Sequence, residues 1–126
     1  MNNFFSLALS GAAKIKLVGA QARNAFVDRD ELVEAIEWAF ACGEHLIVLG
    51  PPGTSKSSIV RYFADGLGLP FFRKLLNPDT TRDEVVGPLD PNKLDQGIWD
   101  RAWSGLATHP VVFLDEAGKP FRYPLI

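Results

Sequence analysis

Residues 46–57 read Leu-Ile-Val-Leu-Gly-Pro-Pro-Gly-Thr-Ser-Lys-Ser and carry the strongest indication of a fold class in the sequence. The run Leu46–Leu49 is apolar without alternation, which is typical of a strand covered on both faces of a parallel sheet. The segment Gly50–Ser55 predicts a turn, and a helix is expected from about Lys56 to a stop at Gly68. The order of strand, glycine-rich turn and helix predicts an α/β domain with a parallel sheet flanked by helices.

A helix is predicted on the N-terminal side of this stretch. Asp28 is a good N-cap residue, and Glu31 stands three residues later, where it can bond back to the N–H of the cap. The apolar face is formed by Leu32, Val33, Ile36 and Phe40, and the glutamates Glu31, Glu34 and Glu37 lie off that face. Gly43 is the expected C-terminal stop.

Two further strands and a short helix are predicted on the C-terminal side. The segments Phe71–Leu76 and Val111–Leu114 are apolar-rich runs of strand length. The sequence of Thr81–Glu84 is a second capping box, which opens a short helix that Gly87-Pro88 must end. Residues 88–109 carry prolines, glycines and tryptophans, which predicts a loop-rich insert with a hairpin or a short helix.

The composition limits the chain to one globular domain or less. Of its 126 residues 47% are hydrophobic and 22% charged, so disorder is not expected. The net charge of -2 supplies no global attraction to nucleic acid or to an anionic membrane. A single cysteine excludes an internal disulfide and a cysteine-based metal site. The apolar run from Phe4 to Ala13 is too short to span a bilayer and predicts a leader helix, so the cytoplasm is the expected location.

The glycine-rich turn has the parts that phosphate binding needs. Backbone N–H groups can wrap close to an anion at Gly50 and Gly53, the helix N-terminus stands behind them, and Lys56 can reach the β- and γ-phosphates. The Ser57 hydroxyl is expected to ligate Mg²⁺. The strict pattern G-x-x-x-x-G-K-[ST] fails at one place, where Ser55 replaces glycine. The predicted phosphate-binding residues are Gly50, Pro51, Pro52, Gly53, Thr54, Ser55, Lys56, Ser57 and Ser58.

Two carboxylates follow the last predicted strand and complete the expected site. Carboxylates at the carboxyl end of a parallel strand face the crevice where ligands bind in such sheets. Asp115 is expected to hold Mg²⁺, directly or through water. Glu116 is expected to orient and deprotonate an attacking water, which makes Glu116 and Lys56 the predicted catalytic residues.

These motifs resemble those of a known family. The segments Gly50–Ser57 and Val111–Glu116 look like the Walker A and Walker B motifs of AAA+ ATPases. The sequence GPPGTSKS, the stretch Thr81–Leu89 and the position of Lys119 are similar to the MoxR group, in particular its RavA-like branch. The resemblance covers roughly residues 10 to 119, with a leader helix region at 1–27 and a partial AAA+ nucleotide-binding domain at 28–126.

The resemblance implies a function and a set of partners. It implies a P-loop NTPase fold that binds ATP and Mg²⁺ and, in a complete assembly, hydrolyses ATP to drive chaperone-like remodelling. It also implies a hexameric ring and a von Willebrand A-domain partner protein. No nucleic acid and no membrane span are expected.

The chain departs from the family pattern in three places. Asp28 stands near where many relatives carry a glycine, which affects the adenine contacts expected from Phe26 and Val27. The stretch Pro120–Pro124 replaces an expected helix. The sensor-1 strand, arginine finger, sensor-2 residue and helical lid have no counterpart, so the fold is expected to be C-terminally incomplete. Without the sensor-1 strand, the first and third predicted strands lose their shared neighbour, and apolar surface is expected to be exposed.

Two alternative functions stay open at this stage. A small P-loop kinase also uses a glycine-rich loop, although the Asp115-Glu116 pair suits hydrolysis by water better. A nucleotide-binding or oligomerisation fragment without turnover fits the missing motifs. None of four arginines stands at the family's arginine-finger position: Arg61, Arg73, Arg82 and Arg101.

Overall fold

The computed structural model describes the backbone of residues 2–118 and the side chains of residues 10–118. The described residues form two compact units, one ending at Leu69 and the other beginning at Pro70. The first, the helical unit, contains α1 (Asn2–Ala25), α2 (Asp30–Cys42) and α3 (Lys56–Leu67). The second, the sheet unit, contains β1 (Phe71–Leu75), α4 (Arg82–Val86), α5 (Pro91–Leu94), a 3₁₀ helix (Gly105–Ala107) and β2 (Val111–Asp115). The predictions on Lys119 and Pro120–Pro124 lie outside the described residues.

The helical unit is built around α1, which packs against both α2 and α3. All three helices contribute to its buried core, which contains Val18, Ala22, Val33, Ile36, Ile59 and Phe63. Burying a side chain such as Ile36 or Phe63 contributes about 1.5–3 kcal/mol relative to leaving it exposed. The apolar spacing on α2 and α3 therefore determines which face of each helix meets α1. Among the helices described, none has the length and apolar character needed to cross a lipid bilayer.

A partly buried ion pair joins α1 to α2. Glu37 is 3% exposed, and its two carboxylate oxygens accept bonds of 3.0 and 2.9 Å from the two terminal nitrogens of the Arg23 guanidinium. The exposed Lys16 ammonium lies 3.4 Å from the same carboxylate. Gly19 permits this approach, because a Cβ there would lie 1.8 Å from Glu37 Oε1. The prediction that Glu37 lies off the buried face of α2 was wrong, since a glutamate can be buried when an arginine pairs with it.

The predicted strand Leu46–Leu49 is not a strand in the described structure. Ile47 and Leu49 are 86% and 91% exposed, so this part of the sequence prediction was wrong. A strand needs a hydrogen-bonded neighbour, and the described sheet consists of β1 and β2 paired with each other. The expected exposure of apolar surface was confirmed for this run. The same expectation was wrong for β2, whose side chains are buried or half-buried.

The predicted boundaries of the two amphipathic helices differ in how well they match the structure. The prediction that Asp28 caps α2 was wrong: Asp28 has a left-handed backbone with φ 55°, and the helix begins at Asp30, with Arg29 in the cap position. The stop at Gly43 was confirmed, because Gly43 is left-handed and its N–H bonds to the Ala39 carbonyl. The start of α3 at Lys56 and its left-handed stop at Gly68 were also confirmed.

The sheet unit is organised by the parallel pair β1–β2. The pairing runs from Phe71 opposite Val111 to Leu75 opposite Asp115. These strands match the predicted runs to within one residue. A small two-stranded parallel sheet with helices therefore confirms the mixed α/β class, while the larger sheet of a full P-loop domain is not formed by the described residues.

The insert between β1 and β2 contains the predicted capping box and a predicted short helix. The Thr81 N–H donates to the Glu84 carboxylate at 3.2 Å at the start of α4. Gly87 ends α4 with φ 103°, where a Cβ would lie 2.0 Å from the Ala102 carbonyl oxygen, so a side chain is excluded there. Beyond it, α5 confirms the short helix predicted for residues 88–109. The described residues of this segment contain no hairpin of paired strands, only an isolated antiparallel bridge between Leu89 and Arg101.

Candidate functional site

The glycine-rich loop wraps around the ammonium group of Lys56, the first residue of α3. The Lys56 Nζ donates to the carbonyl oxygens of Gly50 at 3.0 Å and Pro51 at 2.7 Å, and it lies 3.3 Å from Thr54 Oγ1. The Thr54 hydroxyl in turn donates to the Pro51 carbonyl at 2.9 Å. The loop therefore holds a positive charge at the N-terminus of a helix, where anions are favoured. The hydroxyl contact of Thr54 was not foreseen from the sequence.

The backbone of the loop uses left-handed conformations at two positions. Gly53 has φ 76° and Ser55 has φ 59°. Serine at Ser55 stands where the strict motif has glycine, and a left-handed non-glycine residue costs roughly 1–2 kcal/mol. Throughout residues 2–118, the non-glycine residues with positive φ are Asp28, Ser55 and Glu116. Ser55 lies in the loop itself, and Asp28 lines the pocket described below. Backbone strain of this kind clusters at functional sites.

An open pocket of about 580 Å³ lies beside the loop. Gly50, Pro51, Thr54 and Lys56 line one part of it, and residues 28–32 line another. Its volume falls within the roughly 300–1,000 Å³ that is usual for small-molecule sites. The contribution of residues 28–32 was not foreseen, because the resemblance directed attention to Phe26 and Val27. Phe26 instead packs edge-to-face against Tyr62 at 5.7 Å between ring centroids, and Val27 is 79% exposed.

Asp115 is the last residue of β2, and its carboxylate is paired with an arginine. Arg73 on β1 donates from Nη2 to Asp115 Oδ2 at 2.8 Å, and the Asp115 backbone carbonyl accepts from the Leu76 N–H at 2.9 Å. Glu116 follows directly, is exposed and has φ 59°. The contact of Arg73 with Asp115 was not predicted, because no local pattern in the sequence specifies it.

The structure brings the predicted residues together in two groups. Gly50, Pro51, Thr54 and Lys56 contact one another in the helical unit, with Ser57 half-buried on α3. Pro52, Gly53, Ser55 and Ser58 are exposed in the same segment. Asp115 and Glu116 are adjacent at the end of β2 in the sheet unit. The functional roles of all these residues stay predictions.

The oxygen donors of these groups suit Mg²⁺. Ser57 and Asp115 offer a hydroxyl and a carboxylate, which are hard oxygen ligands. Within the part of the chain that the structure describes, no group of three or more His, Cys, Asp or Glu side chains could hold a metal by itself. Each unit therefore offers a single predicted ligand, and Mg²⁺ commonly takes its other ligands from water and substrate phosphates.

Comparison with known proteins places these residues in context. Residues 13–119 match the family model described as the MoxR domain in the MoxR-vWA-beta-propeller ternary systems. The chain is 33% identical over 108 residues to the uncharacterized protein MJ0079 of Methanocaldococcus jannaschii and 33% identical over 107 residues to MJ0812 of the same organism. These alignments cover 84% and 83% of the chain but 28% and 29% of the relatives. The chain therefore spans less than a third of the length of these relatives.

A more distant similarity extends over part of the chain. It is 37% identical over 75 residues to the ESX-5 secretion system protein EccA5 of Mycobacterium tuberculosis, covering 57% of the chain and 12% of that protein. No solved structure matches the chain.

Proposed function

Because the chain belongs to the MoxR-type AAA+ family, we propose that it binds ATP with Mg²⁺ and that a complete assembly containing it hydrolyses ATP. The hydrolysis would drive chaperone-like remodelling of other proteins. The family match and the similarity to EccA5 favour a function of the AAA+ ATPase type. Assignment to the RavA-like branch rests on the GPPGTSKS and Thr81–Leu89 sequences and is part of this proposal.

The observation that carries the proposal is the position of Lys56. Its ammonium is held by the Gly50 and Pro51 carbonyls at the start of α3, on the wall of a pocket of about 580 Å³. A phosphate site uses a cation and a helix N-terminus beside an open space, and the proximity of these three features supports the proposal. Bound nucleotide phosphates would replace the loop carbonyls as the acceptors of hydrogen bonds from the Lys56 ammonium.

The residues of the chain have distinct roles in the proposed hydrolysis. Lys56 and the backbone N–H groups of residues 53–58 would hold the phosphates in place. Bound Mg²⁺ would neutralise charge on the phosphate oxygens. Ser57 and Asp115 would hold the ion. Glu116 would accept the proton of a water whose oxygen bonds to the γ-phosphorus while the bond to the bridging oxygen breaks.

The partners and setting follow from the family description. The matched family model belongs to MoxR–vWA–β-propeller systems, which supports a von Willebrand A-domain partner for this chain. A hexameric ring, a cytoplasmic location and the absence of nucleic acid from the function remain proposals drawn from the sequence.

One observation favours a second candidate, a nucleotide-binding module without turnover. The Asp115 carboxylate is engaged by Arg73 at 2.8 Å, so the expected metal ligand already has a cationic partner. A module of this kind would bind ATP without releasing phosphate. Phosphate release by the assembled protein therefore separates the two candidates, and transfer to an acceptor would indicate the kinase alternative instead.

Calorimetric titration of the chain with ATP·Mg²⁺ tests the proposal. Lys56→Ala removes the charge-assisted contacts to phosphate and is expected to cost about 2–3 kcal/mol of binding free energy. That cost corresponds to an affinity loss of roughly 30- to 160-fold. Lys14→Ala is the matched control, because Lys14 is an exposed lysine on α1 in the same unit. Equal losses in the two variants, or no loss in Lys56→Ala, would contradict the proposal.

A further inference from the structure

An ion pair connects the middle of β1 to the carboxyl end of β2. The Arg73 guanidinium lies 2.8 Å from Asp115 Oδ2, and the two side chains are 52% and 26% exposed. The residues are 42 positions apart in the sequence, so the pair depends on the pairing of the two strands. Arg73 is thus placed on the residue that the proposed function assigns to Mg²⁺.

The strand register explains why Arg73 reaches Asp115. Leu75 lies opposite Asp115 and Arg73 lies opposite Phe113. Residues two apart on a strand share a face, so Arg73 and Asp115 are diagonal neighbours on one face of the sheet. Lys74 projects to the other face and pairs with Glu84 at 2.5 Å. The two adjacent cations of β1 therefore have separate carboxylate partners.

The pair places a cation on the first of two consecutive acidic residues. Asp115 ends β2 and Glu116 follows it directly, and a cation beside a carboxylate favours its charged form. Arg73 supplies a positive charge at this position, and bound Mg²⁺ would supply one as well. Both cations would interact with the same carboxylate, so the binding of each affects the other.

We propose that Arg73 competes with Mg²⁺ for Asp115 and thereby sets the metal concentration at which the proposed nucleotide site fills. This proposal rests on the proposed function, in which Asp115 holds Mg²⁺. Arg73 is a positioning residue, because it acts through Asp115. Partly exposed ion pairs contribute about 0.2–1 kcal/mol, so removing the guanidinium is expected to tighten metal binding by about 1.4- to 5-fold.

A titration with Mn²⁺ as a paramagnetic probe of the Mg²⁺ site tests this competition without requiring turnover. The nucleotide-free chain is labelled with ¹⁵N, and broadening of the Leu114, Asp115 and Glu116 amide signals is followed as Mn²⁺ is added. Arg73→Gln is expected to lower the Mn²⁺ concentration for half-broadening by about 1.4- to 5-fold. Arg73→Lys keeps the charge and is expected to fall between the wild type and Arg73→Gln.

Two controls separate the possible outcomes. Arg82→Gln removes the same charge from an exposed residue of α4 in the same unit and is expected to leave the half-broadening concentration unchanged. An unchanged or weaker response in Arg73→Gln, or an equal shift in Arg82→Gln, would overturn the competition while leaving Asp115 as a metal ligand. Broadening that is absent in every variant, or that persists fully in Asp115→Asn, would instead contradict the metal site of the proposed function and this proposal with it.

Discussion

Removing Arg23 from its ion pair with Glu37 is expected to lower the stability of the helical unit by an amount that follows from the burial of the two side chains. Arg23→Met keeps much of the aliphatic bulk of the side chain but removes both bonds to a carboxylate that is 3% exposed. Leaving a buried charge without its partner costs about 3–5 kcal/mol. Arg23 is itself 34% exposed and Lys16 remains 3.4 Å from the carboxylate, so we expect a smaller loss of about 2–3 kcal/mol.

The dependence of this loss on pH tests its cause. The bonds from Arg23 hold the pKa of the Glu37 carboxyl below its usual value. The stabilising contribution of Glu37 is therefore complete above its unfolded pKa of about 4.3 and is lost as the pH falls through its lower folded pKa. In Arg23→Met the bonds from Arg23 that lower this pKa are absent, so the Glu37 pKa is expected to lie nearer its unfolded value. The stability of the variant is therefore expected to depend less on pH than that of the wild type. The difference between wild type and variant is expected to shrink toward acid pH.

Urea unfolding followed by far-UV circular dichroism measures the effect, because α1, α2 and α3 are the long helices described. The experiment compares the wild type and the variant at neutral pH and at a series of lower pH values that begins at the unfolded pKa of about 4.3 and continues below it. Lys16→Met is the matched control, because Lys16 is 73% exposed and is expected to contribute less than about 1 kcal/mol. A loss in Arg23→Met no larger than in Lys16→Met, or one that is independent of pH, would refute this reasoning.

Three further changes have expected outcomes. Gly87→Ala places a Cβ against the Ala102 carbonyl oxygen and is expected to lower the free energy of unfolding by more than about 2 kcal/mol, measured by urea unfolding. The control is Gly97→Ala, where the space around the new Cβ is open and the expected loss is about 1 kcal/mol. Ser55→Gly removes the strain of a left-handed serine but increases the entropy of the unfolded chain, and these two effects oppose each other. The free energy of unfolding is therefore expected to stay within about 1 kcal/mol of the wild type, and a loss above about 2 kcal/mol would show an unrecognised role for the side chain. In an assembly that hydrolyses ATP, Glu116→Gln is expected to slow phosphate release by about 10²–10⁴-fold with little change in ATP affinity, and an unchanged rate would place the base elsewhere.

The elements that could be predicted from the sequence are those specified by neighbouring residues. The start of α3 at Lys56 and the capping box at Thr81 depend on side chains within a few positions, and both were confirmed. The apolar runs also predicted the strands β1 and β2, and this prediction was confirmed because the two runs pair with each other in the structure. The loop around Lys56 followed from the same local order of glycines, lysine and helix start.

The features that the sequence did not predict depend on distant contacts. The run Leu46–Leu49 has the composition of a strand, yet pairing is a property of two segments, and the described structure gives this run no strand partner. Glu37 has the spacing of a surface residue, and its burial depends on Arg23, which is 14 residues away. The contact between Arg73 and Asp115 required the register of the sheet, which no local pattern specifies.

The central claim is that the loop from Gly50 to Ser58 binds nucleotide phosphates, and amide chemical shifts test it most directly. The ¹⁵N-labelled chain is titrated in parallel with ATP·Mg²⁺, with pyrophosphate and with adenosine. If the loop binds phosphates, ATP·Mg²⁺ and pyrophosphate are both expected to produce their largest shifts at the amides of residues 53–58, around the Lys56 ammonium. Adenosine alone is expected to leave these amides unmoved. Phosphate binding by this loop would be disproved if saturating ATP·Mg²⁺ shifted no amide in it, or shifted chiefly residues outside it.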